Sequence, residues 1–478
     1  MSYPLESLAE SMIHRNKNGV PLYNFQYQGM KKILENIQNG RNTLLADEMG
    51  LGKTVQVLAV LEVLKPKSVL IVVPKNVALV WTEHALEWSP SLDFEFCLGV
   101  WAGSPYTITT YETVGKFGKL WGFKNKFSLI VFDEAQMLKN ASTARYKSVM
   151  EMLSLGTKPV IIHITGTPIV NYADELYPVI YPLITKMDPE TKRPRVTDEY
   201  PRYWYSSESF QARYLDSIKR TRNARELHEV LHEKLMIRRL TRDVLPELPK
   251  KRRQVVDLPL TPALEELVRE EQKLLKNGKD IQTLMSAESL TNEQWEEIIS
   301  ALQDGYRYPI DKMARIRHMM ALAKLESAYE YIDTVLDNNE KLVVFGHHRD
   351  VLDLVNEHVR FYLKNDNASY VIDGHVEFNR RGDIIHKFQH DPEVRVIVCG
   401  MKVASLGITL TAACHLIFVE GDWVPSVLSQ AEKRVHRIGQ DDTVLIQHLV
   451  VAGSLDATMA KRCVYKQRQQ DRILDNVR

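Results

Sequence analysis

At 478 residues the chain is long enough for about three domain-sized units, each able to bury its own apolar core. Its 44% hydrophobic and 26% charged residues, with no apolar run of about eighteen residues, exclude a membrane-spanning helix. Lys plus Arg number 62 against 61 for Asp plus Glu, and this net charge of +1 excludes a basic coat, so a nucleic-acid partner requires a local basic surface.

In chain order, short β-branched runs at Thr43–Ala46, Val69–Val73, Leu129–Phe132 and Val160–Ile164 predict buried parallel strands joined by helical crossovers. Between the first strand and the helical run from Val55 stands Asp47-Glu48-Met49-Gly50-Leu51-Gly52-Lys53-Thr54. A strand, a glycine-rich turn and a helix start form the context of a phosphate loop. Gly50 and Gly52 let the backbone curl around phosphates, Lys53 reaches the β/γ-phosphates, and the Thr54 hydroxyl serves Mg²⁺. One position breaks the general pattern: Asp47 stands where the first glycine belongs. Asp133-Glu134-Ala135-Gln136 follows the third strand, with Asp133 expected to hold magnesium and Glu134 to take a proton from the attacking water. Together with Lys53 this pair predicts nucleoside triphosphate hydrolysis. Thr165-Gly166-Thr167-Pro168 after the fourth strand reads either as a relay of phosphate state or as an ordinary turn.

From about Ala173 to Asn339 the strand signal fades and charged helical stretches such as Ala263–Glu271 take over. Within this region, residues 219–253 carry twelve Lys/Arg against five Asp/Glu, the local basic excess that DNA binding requires. Arg238, Arg239, Arg242 and Lys250-Lys251-Arg252-Arg253 read as DNA-phosphate contacts or as ties between the insertion and the lobes. A second strand series follows at Leu342–Phe345, Val394–Val398, Leu416–Val419 and Val444–Ile446. Near its end, Gln430-Ala431-Glu432-Lys433-Arg434-Val435-His436-Arg437-Ile438-Gly439-Gln440 places Arg434 and Arg437 three apart, so one helix face is expected to aim both at a γ-phosphate. The expected fold is α/β: two parallel-sheet lobes with helical insertions and a C-terminal helical brace. Residues 1–172 form the core of lobe 1, 173–335 its end with insertions and linker, 336–458 lobe 2, and 459–478 the brace. The active site is expected to be split between the lobes and completed by closure.

The remaining signals are weaker. Cys97, Cys399, Cys414 and Cys463 lack paired-ligand spacing, so neither structural zinc nor a disulfide framework is expected. The opening residues lack a basic region followed by an apolar run and a cleavage site, so secretion is not expected. His347-His348 has no metal-ligand companions at suitable spacing, and Trp81, Trp88 and Trp423 read as packing anchors.

These segments, from Tyr27-Gln28 with Gly29 through Asp47–Gln56, Asp133–Gln136, Thr165–Ile169 and Arg434–Gln440, resemble the Snf2 family of superfamily 2 helicase-like motors. Further matches are Arg238-Arg239 with Leu248-Pro249 and Lys251, Ile372-Asp373-Gly374 with Arg381 and Phe388, and Leu410-Thr411 with Ala413. Val343–His348 and Asp422–Leu428 look closest to the annealing-helicase, fork-remodelling branch. The resemblance spans about residue 20 to 466 and implies two RecA-like lobes, ATP and Mg²⁺ as cofactors, and translocation on double-stranded or branched DNA. It implies that Gln28 reads the adenine edge, that Gln430 belongs to the nucleotide site, and that Lys75 and Thr110 bind the DNA backbone. Lys433 stands where the family often has an acid, and Ser405 where it commonly has a glycine. The expected activity is an ATP-dependent DNA translocase remodelling forks, bubbles or repair intermediates. The alternative is a chromatin or protein–DNA remodelling motor whose partners supply specificity. Tyr27-Gln28 falls so early that no separate N-terminal recognition region is expected, and the motor is expected to be a monomer. Its compartment follows the source: the nucleoid-associated cytoplasm of a bacterium or archaeon, the host cell interior for a virus, or a eukaryotic nucleus.

Overall fold

The computed structural model describes residues 16–460, apart from 100–102, 125–126, 156–158, 169–172, 188–193, 216–221, 250, 277–309, 339–340, 407, 423–424 and 459. The chain divides into two compact units at Pro246/Glu247.

In the first unit, β1 (Thr43–Leu45), β2 (Val69–Val73), β3 (Glu95–Cys97), β4 (Tyr106–Thr110), β5 (Leu129–Phe132), β6 (Val160–Ile164) and β9 (Met236–Ile237) form one sheet in the order β3-β4-β2-β5-β6-β1-β9. Every pairing is parallel. A separate antiparallel hairpin joins β7 (Thr185–Met187) and β8 (Pro194–Val196). Both sheet faces are covered, which is why the central strands are unbroken apolar runs. Ile130 and Phe132 of β5 enter a core with Leu44, Trp121 and Val149, whereas Leu129 and Val131 enter another with Leu45, Val57, Leu61 and Trp81.

In the second unit, β10 (Lys251–Leu258), β11 (Leu342–Gly346), β12 (Ser369–Ile372), β13 (Val396–Gly400), β14 (His415–Phe418) and β15 (Val444–Val451) form an all-parallel sheet in the order β10-β15-β14-β11-β13-β12. Val343, Phe345, Ile397 and Phe418 pack on one face, and Leu342, Val344, Val398 and Ile417 on the other.

The expected single stretch 173–335 is divided by the fold. Its β9 completes the first sheet, and its β10 pairs with β15 through eight residues, from Lys251 opposite Val444 to Leu258 opposite Val451. β9 is only two residues long, and β10 is an edge strand whose side chains alternate between half-buried and exposed over most of its length. Neither produces the apolar run of a central strand. Apart from Ala460, the expected brace lies outside the described residues.

Candidate active site

The phosphate loop leaves the carboxyl end of β1 and enters the helix Lys53–Leu64. Gly52 caps that helix at φ +71°, and a Cβ there would stand 2.4 Å from Gln26 Nε2. Glycine is therefore required both for the turn and for the close approach. A helix start of this kind leaves its first amides for an anion. Lys53 Nζ donates to the Asp47 and Glu48 carbonyls at 2.8 and 3.3 Å. Burial draws this ammonium below its ordinary range, while the carboxylates of Glu134, Asp47 and Asp133 oppose the shift. Thr54, half-buried, is the second residue of the helix.

Asp133 and Glu134 follow β5 at the same edge of the sheet. Asp133 Oδ2 accepts from Trp81 Nε1 at 2.7 Å, and Oδ1 from the Glu134 N–H at 2.9 Å. The Tyr111 hydroxyl donates to the Asp133 carbonyl at 2.8 Å. Burial first, then the neighbouring Glu134 charge, pushes the Asp133 carboxyl up to about 7. Glu134 is held at φ +47°, a costly conformation for a residue with a side chain and one that clusters at functional sites. Its Oε2 accepts from Gln136 Nε2 at 2.5 Å, Gln136 Oε1 accepts from the Thr165 hydroxyl at 2.6 Å, and Thr165 Oγ1 accepts from the Thr167 N–H at 3.0 Å. A hydrogen-bonded chain thus ties the acids after β5 to the turn after β6. That turn also reaches the lysine, since a Cβ on Gly166 would stand 3.3 Å from Lys53 Nζ. The donor set of one ammonium, a hydroxyl and two carboxylates suits a phosphate chain carrying a divalent cation.

Several expected site residues lie elsewhere. Gln28 is exposed, whereas Gln26 is 5% exposed and touches the phosphate loop: its Nε2 donates to Leu51 O at 3.2 Å and its Oε1 accepts from the Tyr23 N–H at 3.1 Å. Helical geometry separates them, because residues two positions apart along a helix point about 200° apart. Thr110 is buried at the start of the helix Tyr111–Lys124, where its Oγ1 accepts from the Thr113 N–H at 3.2 Å, so it caps rather than meets a ligand. Arg238 Nη1 donates to Ala46 O at 2.8 Å, and Arg239 forms a buried pair with Asp47. Both arginines are therefore engaged in the phosphate loop's surroundings. Lys251 and Arg253 pair with Glu432, which is 2% exposed, at 3.3 and 2.6 Å. Lys250 lies outside the described residues, and Lys75 and Arg252 are exposed.

Arg434 and Arg437 do not share a helix face. The helix Pro425–Val435, which carries half-buried Gln430, ends before Arg437. Gln440 Nε2 donates to the Val435, Ala413 and Thr411 carbonyls, and Gly439 turns at φ +91°, so the chain leaves the helix there. Arg437 Nη1 donates to Ile408 O at 3.3 Å, and burial lowers its pKa.

Sequence reasoning missed Gln26, Trp81, Tyr111 and Gln56. Gln26 is separated by three residues from Gly29, one helical turn, and that spacing was the available signal. For Trp81 and Tyr111 the sequence offers none, because their roles depend on a partner at Asp133, 52 and 22 residues away.

A phosphate loop and a paired acid site on one parallel sheet, followed by a second parallel-sheet unit, define a two-lobed nucleotide-binding protein of the helicase-like class. The chain belongs to the SNF2 family: the SNF2-related domain matches residues 25–305, and the helicase conserved C-terminal domain matches residues 323–439. It is 31% identical over 450 residues to the DNA annealing helicase and endonuclease ZRANB3 of Homo sapiens, covering 91% of this chain and 39% of that protein. It is 32% identical over 458 residues to the SWI/SNF-related matrix-associated actin-dependent regulator of chromatin subfamily A-like protein 1 of Xenopus tropicalis, covering 92% and 44% respectively. The chain thus spans about two fifths of the length of these relatives. Among solved structures it is similar to the Sulfolobus solfataricus SWI2/SNF2 ATPase core in complex with dsDNA, at 25% identity and a TM-score of 0.44, covering 97% of this chain and 95% of that one.

Proposed function

We propose that this chain is an ATP-driven motor that translocates on double-stranded DNA and remodels forks, bubbles or repair intermediates. The observation that carries the reading is the convergence of Lys53, Asp133–Glu134 and Thr165 at one sheet edge, linked through Gln136. Lys53 and the loop amides bind the β/γ-phosphates, and Gln26 holds the loop at Leu51. Thr54 and Asp133 would hold Mg²⁺, which supplies charge neutralisation on the phosphates when bound. Glu134, oriented by Gln136, accepts the proton of the attacking water. Arg434 and Arg437 are read as the residues through which the second unit stabilises charge on the γ-phosphate. The family and the annealing-helicase relative support duplex or branched DNA as the track. Lys75 and Arg252, both exposed, are its proposed phosphate contacts in place of the engaged Arg238, Arg239 and Lys251.

The test is ATP hydrolysis measured without nucleic acid and with single-stranded DNA, linear duplex, forked DNA and nucleosomes. Wild-type protein is expected to respond to duplex and more strongly to forks, and Lys53→Ala and Glu134→Gln to be inactive on all. No duplex stimulation would remove the DNA-motor reading, and a response to nucleosomes beyond equal-length duplex would move the target to protein–DNA complexes.

A further inference from the structure

Asp47, which stands where a general phosphate loop has glycine, is completely buried. Its Oδ1 accepts from the backbone N–H and the Nε of Arg239 at 2.9 and 3.0 Å, and its Oδ2 accepts from Gln56 Nε2 at 2.9 Å and from Arg239 Nη2. Arg239 Nη2 also donates to Gln56 Oε1 at 2.7 Å, and Nη1 donates to the Phe25 carbonyl. One guanidinium therefore joins three segments: the loop itself, the helix that follows it, and the helix Asn24–Gln38, whose Gln26 touches the loop at Leu51. Gly29 of that helix has no room for a side chain, because a Cβ would lie 2.0 Å from Gln56 Oε1 and 2.3 Å from Arg239 Nη2.

The backbone reinforces the same join. Past the end of the β1–β9 ladder, the Ala46 N–H donates to Ile237 O at 2.8 Å, the Glu48 N–H to Arg239 O at 2.9 Å, and the Thr241 N–H to Glu48 Oε2 at 2.8 Å. Residues 237–241 thus run alongside the loop. Releasing Arg239 to a DNA phosphate would strand a buried carboxylate, a large penalty.

Resting on the nucleotide-site reading above, we propose that Arg239 is a positioning residue for nucleotide binding. Through Asp47 and Gln56 it holds the phosphate loop in register with the adjoining helix, and Asp47 replaces glycine because it is the acceptor of this lock. A planar fork with several fixed donors fits the task, and a lysine ammonium does not.

The test measures binding of a fluorescent ADP derivative without DNA, and separately the salt dependence of duplex DNA affinity, for wild type, Arg239→Gln, Asp47→Asn and the double variant. Arg239→Lys serves if the neutral variants fail to melt cooperatively. Each single variant is expected to lose about tenfold in ADP affinity, as members of one network do, and the double variant no more than the worse single. The DNA salt slope is expected to stay at the wild-type value. Wild-type ADP affinity in Arg239→Gln or Arg239→Lys, additive losses, or a reduced salt slope would each overturn the lock. If wild-type protein binds no ADP, or binds it regardless of Lys53→Ala, the nucleotide-site reading itself falls; if it binds and only the lock variants are silent, this inference alone falls.

Discussion

At the scale of single residues, Lys53 Nζ donates to the Asp47 carbonyl and Asp133 accepts from Trp81, and these contacts hold the candidate phosphate site in shape. Lys53, Asp133 and Glu134 are legible because phosphate chemistry restricts both residue type and spacing. Gln28 and Gln26 illustrate the limit: both are glutamines near a glycine, and only packing against Leu51 distinguishes them. Gln26→Ala is expected to weaken ADP binding about threefold to tenfold, the loss of one or two buried hydrogen bonds, and Gln28→Ala to leave it unchanged in the same fluorescence titration. Glu432 shows a charged residue deciding stability. Although burial opposes ionisation, Lys251 and Arg253 hold its carboxyl down to about 2 from an ordinary 4.5. A depressed folded pKa contributes stability above the unfolded value, and that contribution is lost as pH falls from 4.5 towards 2. Glu432→Gln is expected to cost about 3 kcal/mol at neutral pH, and thermal melts should show its difference from wild type closing through that acid window.

At the scale of elements, the long apolar strands are readable and the short or edge strands are not. β5 and β13 bury both faces, so their sequences are continuous hydrophobic runs. β3, β9 and β10 are held by neighbours already in place, and their composition carries little strand signal. The end of the helix Pro425–Val435 was equally hidden, since it is set by Gln440 reaching back to carbonyls at Val435, Ala413 and Thr411. Gln440→Ala leaves those acceptors short of a donor and is expected to destabilise the protein by about 1–3 kcal/mol in denaturant melts, while Gln440→Glu fails to rescue it. Gly29→Ala forces a Cβ into Gln56 and Arg239, so it is expected to lower both melting temperature and ADP affinity although it removes no polar group.

At the scale of the whole molecule, the chain is two parallel-sheet units whose boundary falls at Pro246/Glu247, inside the basic stretch that the charge count singled out. That stretch is not one surface. Arg238 and Arg239 contact the phosphate loop's surroundings, whereas Lys251 and Arg253 pair with Glu432 in the other unit's core. Charge reversal at Lys251 is therefore expected to reduce stability rather than the salt slope of DNA binding, whereas reversal at Lys75 or Arg252 should lower that slope by about one. Arg437→Ala is expected to reduce hydrolysis about a thousandfold while ADP affinity stays at the wild-type value, and equal loss of both would count against the role proposed for it.

By itself, the sequence determined the fold class, the order of the motifs and the phosphate chemistry, because strand burial and phosphate binding each demand local patterns that survive without knowledge of the rest of the chain. Only the tertiary structure decided which cations are spoken for. A guanidinium reads the same in sequence whether it faces solvent or a carboxylate 192 residues away, and Arg239 faces Asp47. Pairing in the interior depends on where the backbone returns, and that is a property of the assembled sheet.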